Sequence, residues 1–447
     1  MSNELPGVER FPLSFNQDFM VMFDQGDGAG PFGPRYHLTH GLRVRGRVDV
    51  DAMRGALDDV VARNEILRTE VVRGEERHQL IHPPSPAELV VRDLTGTDPA
   101  DRDRRAEELL IEIEATEYSV REQGVFRAVL AEFAEDDWVL VLIVHHSATD
   151  SWSLQLITKE LAEFYTARRE NRPPALPPAR QYRELVEWEA ANTTEESLAR
   201  SAAYWREKLD GARMPMMPTD FPRSAGLPRN TSVERYLADS DLTAATLELA
   251  RTTRSSPFMV LLAAYKVLLS ELSGSDDIAV LTITSGRGQA QFEEMIGPFY
   301  NLVPLRTNLA GAADFREIVQ RTRRTCLEAF SHPIPFAKIM AGSPHIADPW
   351  VGDTTAGIAF QVFQFPFVMA DQRVGDLTCS EIRRRLLPAE VSTDIPDGAL
   401  WTLDLDPANG EMIGQVQYNS DRYHASTIRD LLARFLQVIK QSLSTTD

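Results

Sequence analysis

The stretch VFRAVLAEFAEDDWVLVLIVHHSATDSW, Val125 to Trp152, decides the fold. VFRAVLAEF and WVLVLIVHH are apolar runs of strand length, and the acidic AEDD between them supplies a turn. They read as neighbouring strands. Successive side chains on a strand point to opposite faces. Val141, Ile143 and His145 therefore share one face, and Leu142, Val144 and His146 the other. Two adjacent histidines cannot both line one cavity if the strand runs through them, so one is expected to do chemistry and the other to be structural. The next segment, SLQLITKELAEFYTARR, places Leu154, Ile157, Leu161, Phe164 and Tyr165 on one helical face.

Upstream, HLTHGLRVRGRVDV alternates as a strand, with Leu38, Leu42, Val44 and Val48 inward and an irregularity expected near Gly41. DVDAMRGALDDVVARN then forms a helix on Met53, Leu57, Val60 and Val61, capped by Asp49 or Asp51. NRPPALPPARQY, Asn171 to Tyr182, has four prolines in six residues. Such a run is neither helix nor central strand and reads as the connection between two lobes, residues 1–176 and 177–447. In the second lobe, SSPFMVLLAAYKVLLSELSG is a buried helix with a serine cap, Pro257 in its first turn and Gly274 past its end. DIAVLTITSGR, GIAFQVFQF and MIGQVQYNS read as strands, and ASTIRDLLARFLQVIKQSL as an amphipathic terminal helix. The class is mixed α/β.

The 447 residues suit two or three domains. The formal net charge of −19 argues against nucleic acid as a partner. Cys326 and Cys379 form no CxxC pair, so neither a disulfide framework nor a structural zinc site is expected. No apolar signal region opens the chain, and the longest apolar stretch, Phe258 to Leu272, is interrupted by Lys266 and Glu271. A cytoplasmic protein without membrane association is expected.

Around the histidines there is no GxSxG elbow and no evident nucleophile. No third metal ligand follows at standard spacing. Direct general-base work by one imidazole, whose ordinary pKa lies near neutrality, fits the patch better than covalent catalysis. Asp150 lies in the turn before the helix, where a carboxylate can cap, pair with an arginine or orient an imidazole.

HHSATDS resembles the HHxxxDG motif of condensation domains in nonribosomal peptide synthetases, members of the chloramphenicol-acetyltransferase-like acyltransferases. Further segments are similar to that family in order: PLSFNQDFMVMF, RNEILRTEV at Arg63 to Val71, YRELVEWE at Tyr182 to Glu189, IGPFYNLVPLR at Ile296 to Arg306, HPIPFAKIM and VQYNSDRYHASTIRDLLARF. Together they cover nearly the whole chain. The resemblance implies two acyltransferase-like lobes in a V-shaped pseudodimer with a tunnel between them. A carrier protein would deliver an acyl or aminoacyl thioester on its phosphopantetheine arm. The acceptor would be a small-molecule alcohol or amine, or a second carrier protein. No bound cofactor and no metal is implied. By motif position His146 would be catalytic; His145 would be structural, and Asp150 would pair with Arg287. Asn301, Trp152 and Tyr300 are candidates for the tunnel wall. The family's glycine after the aspartate is Ser151 here, a candidate for capping the helix or assisting an oxyanion.

No adenylation signature and no carrier segment is visible, so a free-standing condensation enzyme of natural-product biosynthesis, including enediyne assembly, is expected. The alternatives are a non-catalytic recruitment module, an epimerisation domain using Glu293 or Glu294, and an acyl-coenzyme A acyltransferase. Two basic clusters, Arg321 to Arg324 and Arg383 to Arg385, are candidate docking faces for a carrier protein, which in such families is usually acidic. His332 is a candidate for the tunnel or a turn.

Overall fold

The computed structural model describes residues 7–214, 217–363, 369–382, 386–395, 397–406 and 410–444. Arg383 to Arg385 lie outside them. The chain forms two compact units. The first comprises Met1–Asn192, Ser285–Tyr300 and Phe365–Arg384; the second comprises Thr193–Thr284, Asn301–Gln364 and Arg385–Asp447. A single cut at 176/177 does not describe this division. The helix after the proline-rich run stays with the first unit, and two later segments return to it.

The first unit is built on a six-stranded sheet in the order Gln372–Val374, Leu377–Glu381, His37–Arg45, Asp137–His145, Phe126–Ala134, Glu88–Asp93. The predicted hairpin is present, Phe126 pairing with Val144 through to a register shift at Glu132/Ala134 beside the turn. The period-two reading holds. Leu140, Leu142 and Val144 enter the core shared with helices Val50–Arg63 and Ser151–Arg169, while Val139, Val141 and Ile143 pack with Leu109, Leu110 and Ile113 of helix Arg102–Ala115. Asp49 caps the Val50–Arg63 helix, accepting from the Ala52 amide at 2.9 Å.

Gly41 is not an irregularity. The His37–Arg45 strand pairs without a break from His37↔His145 to Arg45↔Asp137. The glycine serves packing, because a Cβ there would lie 2.7 Å from Leu110 Cδ2. Leu42 and Val44 are core residues as expected and Leu38 packs against them; Val48 also touches that core, but lies beyond the strand end.

The second unit carries its own six-stranded sheet, ordered Asn301–Asn308, Asp277–Thr284, Ile358–Phe363, Ala399–Asp406, Glu411–Asn419, Thr231–Ala238. The Pro257–Ser273 helix is the expected buried element, capped by Ser256 and ended by left-handed Gly274. It buries one anomaly. Lys266 is fully enclosed, with Nζ 2.6 Å from Thr307 Oγ1, and burial pulls its pKa down to about 7. The unfolded chain binds this proton up to a much higher pH, so the wild type gains stability from lysine deprotonation as pH rises from about 7 towards 10. Lys266→Met removes the buried amine. We expect its melting temperature to exceed that of wild type at pH 6 to 7, with the gap closing by pH 10, measured by thermal unfolding across that range.

Candidate functional site

The strand ends at His145, and the two rings part there. His145 is 4% exposed. Its Nδ1 accepts from the Ser147 amide at 3.2 Å, so Nε2 carries the proton and faces the Gly33 carbonyl at 3.3 Å. Burial drives its pKa down to about 3. The ring is neutral, with both nitrogens occupied, which is a structural environment. Its cross-strand partner His37 is also buried, with a pKa lowered by burial to about 4.

His146 leaves the strand and donates its amide to the Tyr36 carbonyl at 2.9 Å. Its ring stacks on Tyr36, centroids 5.1 Å apart and 23° between planes, and lies 4.8 Å from the tilted Tyr300 ring. Nδ1 is 2.7 Å from the Thr149 carbonyl. A carbonyl only accepts, so Nδ1 bears the hydrogen and a neutral ring presents Nε2 as its basic nitrogen. Burial lowers the pKa of His146 from its ordinary value, opposed by the Thr149 carbonyl and the Asp150 charge. The adjacent histidines thus hold opposite tautomers.

Asp150 makes the site rigid. It caps the Ser151–Arg169 helix by accepting from the Ser153 amide at 2.6 Å. Nη2 of Arg287 lies 3.2 Å from each carboxylate oxygen, and the Phe299 amide donates at 3.1 Å. The Arg287 guanidinium also reaches Ser153 Oγ at 2.8 Å and the carbonyls of Phe292 and Met295, both at 2.7 Å. Its carbon sits 4.1 Å above the Phe299 ring. Ser153 Oγ in turn donates to the Gly297 carbonyl at 2.8 Å. Gly297 must be glycine, because a Cβ would fall 2.2 Å from the Tyr182 ring.

Ser151 is the first residue of the helix, and its φ is not positive. The cap is Asp150, so the capping role expected of Ser151 belongs to its neighbour. Trp152 donates its indole N–H to the Glu293 carbonyl at 2.9 Å. Asn301 belongs to the second unit, and both ends of its amide are engaged there, with the Ile334 carbonyl at 2.9 Å and the Phe336 amide at 3.0 Å. His332 stacks on Tyr204 with centroids 3.9 Å apart. The structure therefore gathers His146, Asp150, Ser151, Trp152, Arg287 and Tyr300 in one unit, without Asn301. Tyr36, Ser153 and Tyr182 were not anticipated in these roles. Ser153 had a local signal, three residues beyond the capping aspartate, whereas Tyr36 had none.

Among the described residues, no group of three or more His, Cys, Asp or Glu side chains could hold a metal ion. No single helix among them is long and apolar enough to cross a membrane.

The first unit thus sets a histidine at the end of a sheet hairpin, close to a buried Asp–Arg pair. The condensation-domain family model matches residues 9–447, and the chain belongs to that family. It is 43% identical to SgcC5 of Streptomyces globisporus, solved in complex with (R)-(-)-1-(2-naphthyl)-1,2-ethanediol and sucrose; the match covers 97% of this chain and 98% of that one, with a TM-score of 0.92. The X-domain from teicoplanin biosynthesis is 25% identical over 98% of this chain and 95% of that one, with a TM-score of 0.76. Among sequence relatives, the chondramide synthase cmdD of Chondromyces crocatus is 28% identical over 97% of this chain, which spans 11% of that protein. CymA of Salinispora arenicola, a probable non-canonical nonribosomal peptide synthetase, is 31% identical over 96% of this chain and 5% of its own length.

Asp150→Ala strips the buried partner from Arg287 and removes the helix cap, and is expected to lower unfolding free energy by about 3–5 kcal/mol. Asp150→Asn, which retains an acceptor for the cap, should lose less. Urea unfolding of both variants measures the difference.

Proposed function

We propose that this protein is a condensation enzyme that joins a carrier-tethered acyl or aminoacyl thioester to an alcohol, forming an ester. One observation carries the reading. The Nδ1 hydrogen of His146 is committed to the Thr149 carbonyl, and Nε2 is left as the proton acceptor of a neutral ring. The acceptor hydroxyl attacks the thioester carbonyl while His146 takes its proton. The tetrahedral intermediate then collapses, the carbon–sulfur bond breaks, and the thiolate on the phosphopantetheine arm leaves with the proton returned by the imidazolium. No covalent enzyme intermediate is needed. An alcohol needs this deprotonation more than a free amine does, and the vicinal diol bound to SgcC5, 43% identical to this chain, supports a hydroxyl acceptor. Amide formation with an amine is the neighbouring chemistry of the same site.

The recruitment reading draws on the X-domain, solved both alone and in complex with OxyB, and on Ser151. With ordinary φ at Ser151 the backbone there carries no strain that only glycine would relieve. The epimerisation reading is weakened by the exposure of Glu293 and Glu294, the latter paired with Lys159 at 3.2 Å.

An acidic carrier meets a chain of net charge −19 only through a local basic face. On the Phe315–Phe330 helix of the second unit, Arg324 is the candidate contact. Arg324, Leu327 and Phe330 are exposed on that helix, Leu327 at 47% and Phe330 at 44%. Arg321 is instead committed to Glu317.

Turnover of carrier-loaded donor with a panel of alcohols and amines, followed by product mass, tests the function. His146→Ala, folded as judged by thermal melting, should lose at least about a hundredfold in rate. Full turnover without His146 would overturn its role, and carrier binding without any product in wild type would favour recruitment. Arg324→Glu should raise the KM for the loaded carrier several-fold, more strongly at low salt, with kcat little changed.

A further inference from the structure

The segment Gly297 to Tyr300 crosses the first unit with each of its residues tied down by a side chain. Ser153 Oγ accepts from the Gly297 amide at 3.0 Å as well as donating to its carbonyl. Tyr182 donates to the Pro298 carbonyl at 3.0 Å and shares a hydrogen bond of 2.9 Å with Ser14 Oγ. Asp150 receives the Phe299 amide. The last tie is Asn16, whose Nδ2 lies 2.5 Å from the Tyr300 carbonyl. Asn16 follows the Ser14 cap of the Phe15–Met22 helix and is 8% exposed.

Asn16 is a poor choice for stability. Its Oδ1 is buried with no hydrogen-bond partner among the described residues, and an unpaired buried carbonyl is unfavourable. What its other end does is hold the residue whose ring abuts His146. Tyr300 and Tyr36 are both half-buried and both contact the imidazole. The titratable groups around that imidazole are Tyr36 ahead of the His37–Arg45 strand, Tyr300 at the end of the tied segment, Asp150 at the helix cap and His145 on the hairpin.

We propose that Asn16 is a positioning residue that, by gripping the Tyr300 carbonyl, holds the Tyr300 ring against His146 and so keeps the imidazole oriented and shielded from water. The proposal rests on the reading of His146 as the proton acceptor. Asn16 touches neither substrate nor the reacting atoms; it acts through Tyr300. Loosening that ring admits water to His146, which removes part of the burial that lowers its pKa.

The test is the pH dependence of kcat and kcat/KM for ester formation in wild type, Asn16→Leu, Tyr300→Leu, the double variant and His146→Ala. Asn16→Leu should lower kcat between about tenfold and a hundredfold, the range for a misplaced catalytic group, with donor KM held within about twofold. The acid limb of its profile should move to higher pH. Tyr300→Leu should move it the same way, and the double variant should be no worse than the more damaged single one, because both act through one contact. Asn16→Ser, too short to reach the Tyr300 carbonyl, gives the same comparison should the leucine variant fold poorly. An unmoved acid limb, or fully additive losses, would overturn the proposal while leaving His146 in place. Undiminished turnover by His146→Ala would instead overturn the reading beneath it.

Discussion

The carboxylate of Asp150 is the constraint on which the site depends. One short side chain caps a helix, neutralises a buried guanidinium and receives the amide of Phe299 from a distant part of the sequence. Its partners secure each other. Arg287 is 3% exposed in its side chain and burial lowers its basicity, so it is tolerable there only because the carboxylate and two carbonyls receive its terminal N–H groups. The Ser153 hydroxyl is shared between Arg287 and both polar groups of Gly297. The effect is to bolt residues 285–300 onto the first unit, which brings Tyr300 to His146.

The same local geometry separates two histidines that are adjacent in sequence. His145 ends a strand and is sealed with both nitrogens bonded; His146 turns away, with one nitrogen bonded to a carbonyl and an aromatic ring on either side. Backbone and burial assign them opposite tautomers. The base chemistry proposed for His146 then needs no triad aspartate at the imidazole. Thr149, through its carbonyl, does the orienting that a carboxylate performs in a serine hydrolase, while Asp150 acts on the scaffold.

Much of this was legible in the sequence. The hairpin, its face alternation and the helix caps follow from apolar period and capping chemistry, both local properties. The Asp150–Arg287 pair was legible only through family resemblance, because 137 residues separate the partners and nothing in local pattern joins them. The irregularity expected near Gly41 is absent, since a missing side chain looks the same in sequence whether it relieves strain or admits Leu110. The division of the chain was misplaced because a proline run marks a break in secondary structure, not the limit of a compact unit. Tyr36 and Asn16 gave no signal. Their roles arise from tertiary contact alone, and Asn301, which the motif singled out, spends its amide on the backbone of residues 334–336.

The fold presents His146 as a neutral imidazole with hydrogen on Nδ1 and a basic Nε2. Nitrogen NMR of protein carrying 15N-labelled histidine, assigned with the His146→Ala variant and followed from pH 5 to 8, tests it without any substrate. The His146 ring is expected to show the Nδ1–H tautomer at neutral pH and to titrate below the ordinary imidazole value. A ring protonated on Nε2, or one still charged at pH 7, would contradict it.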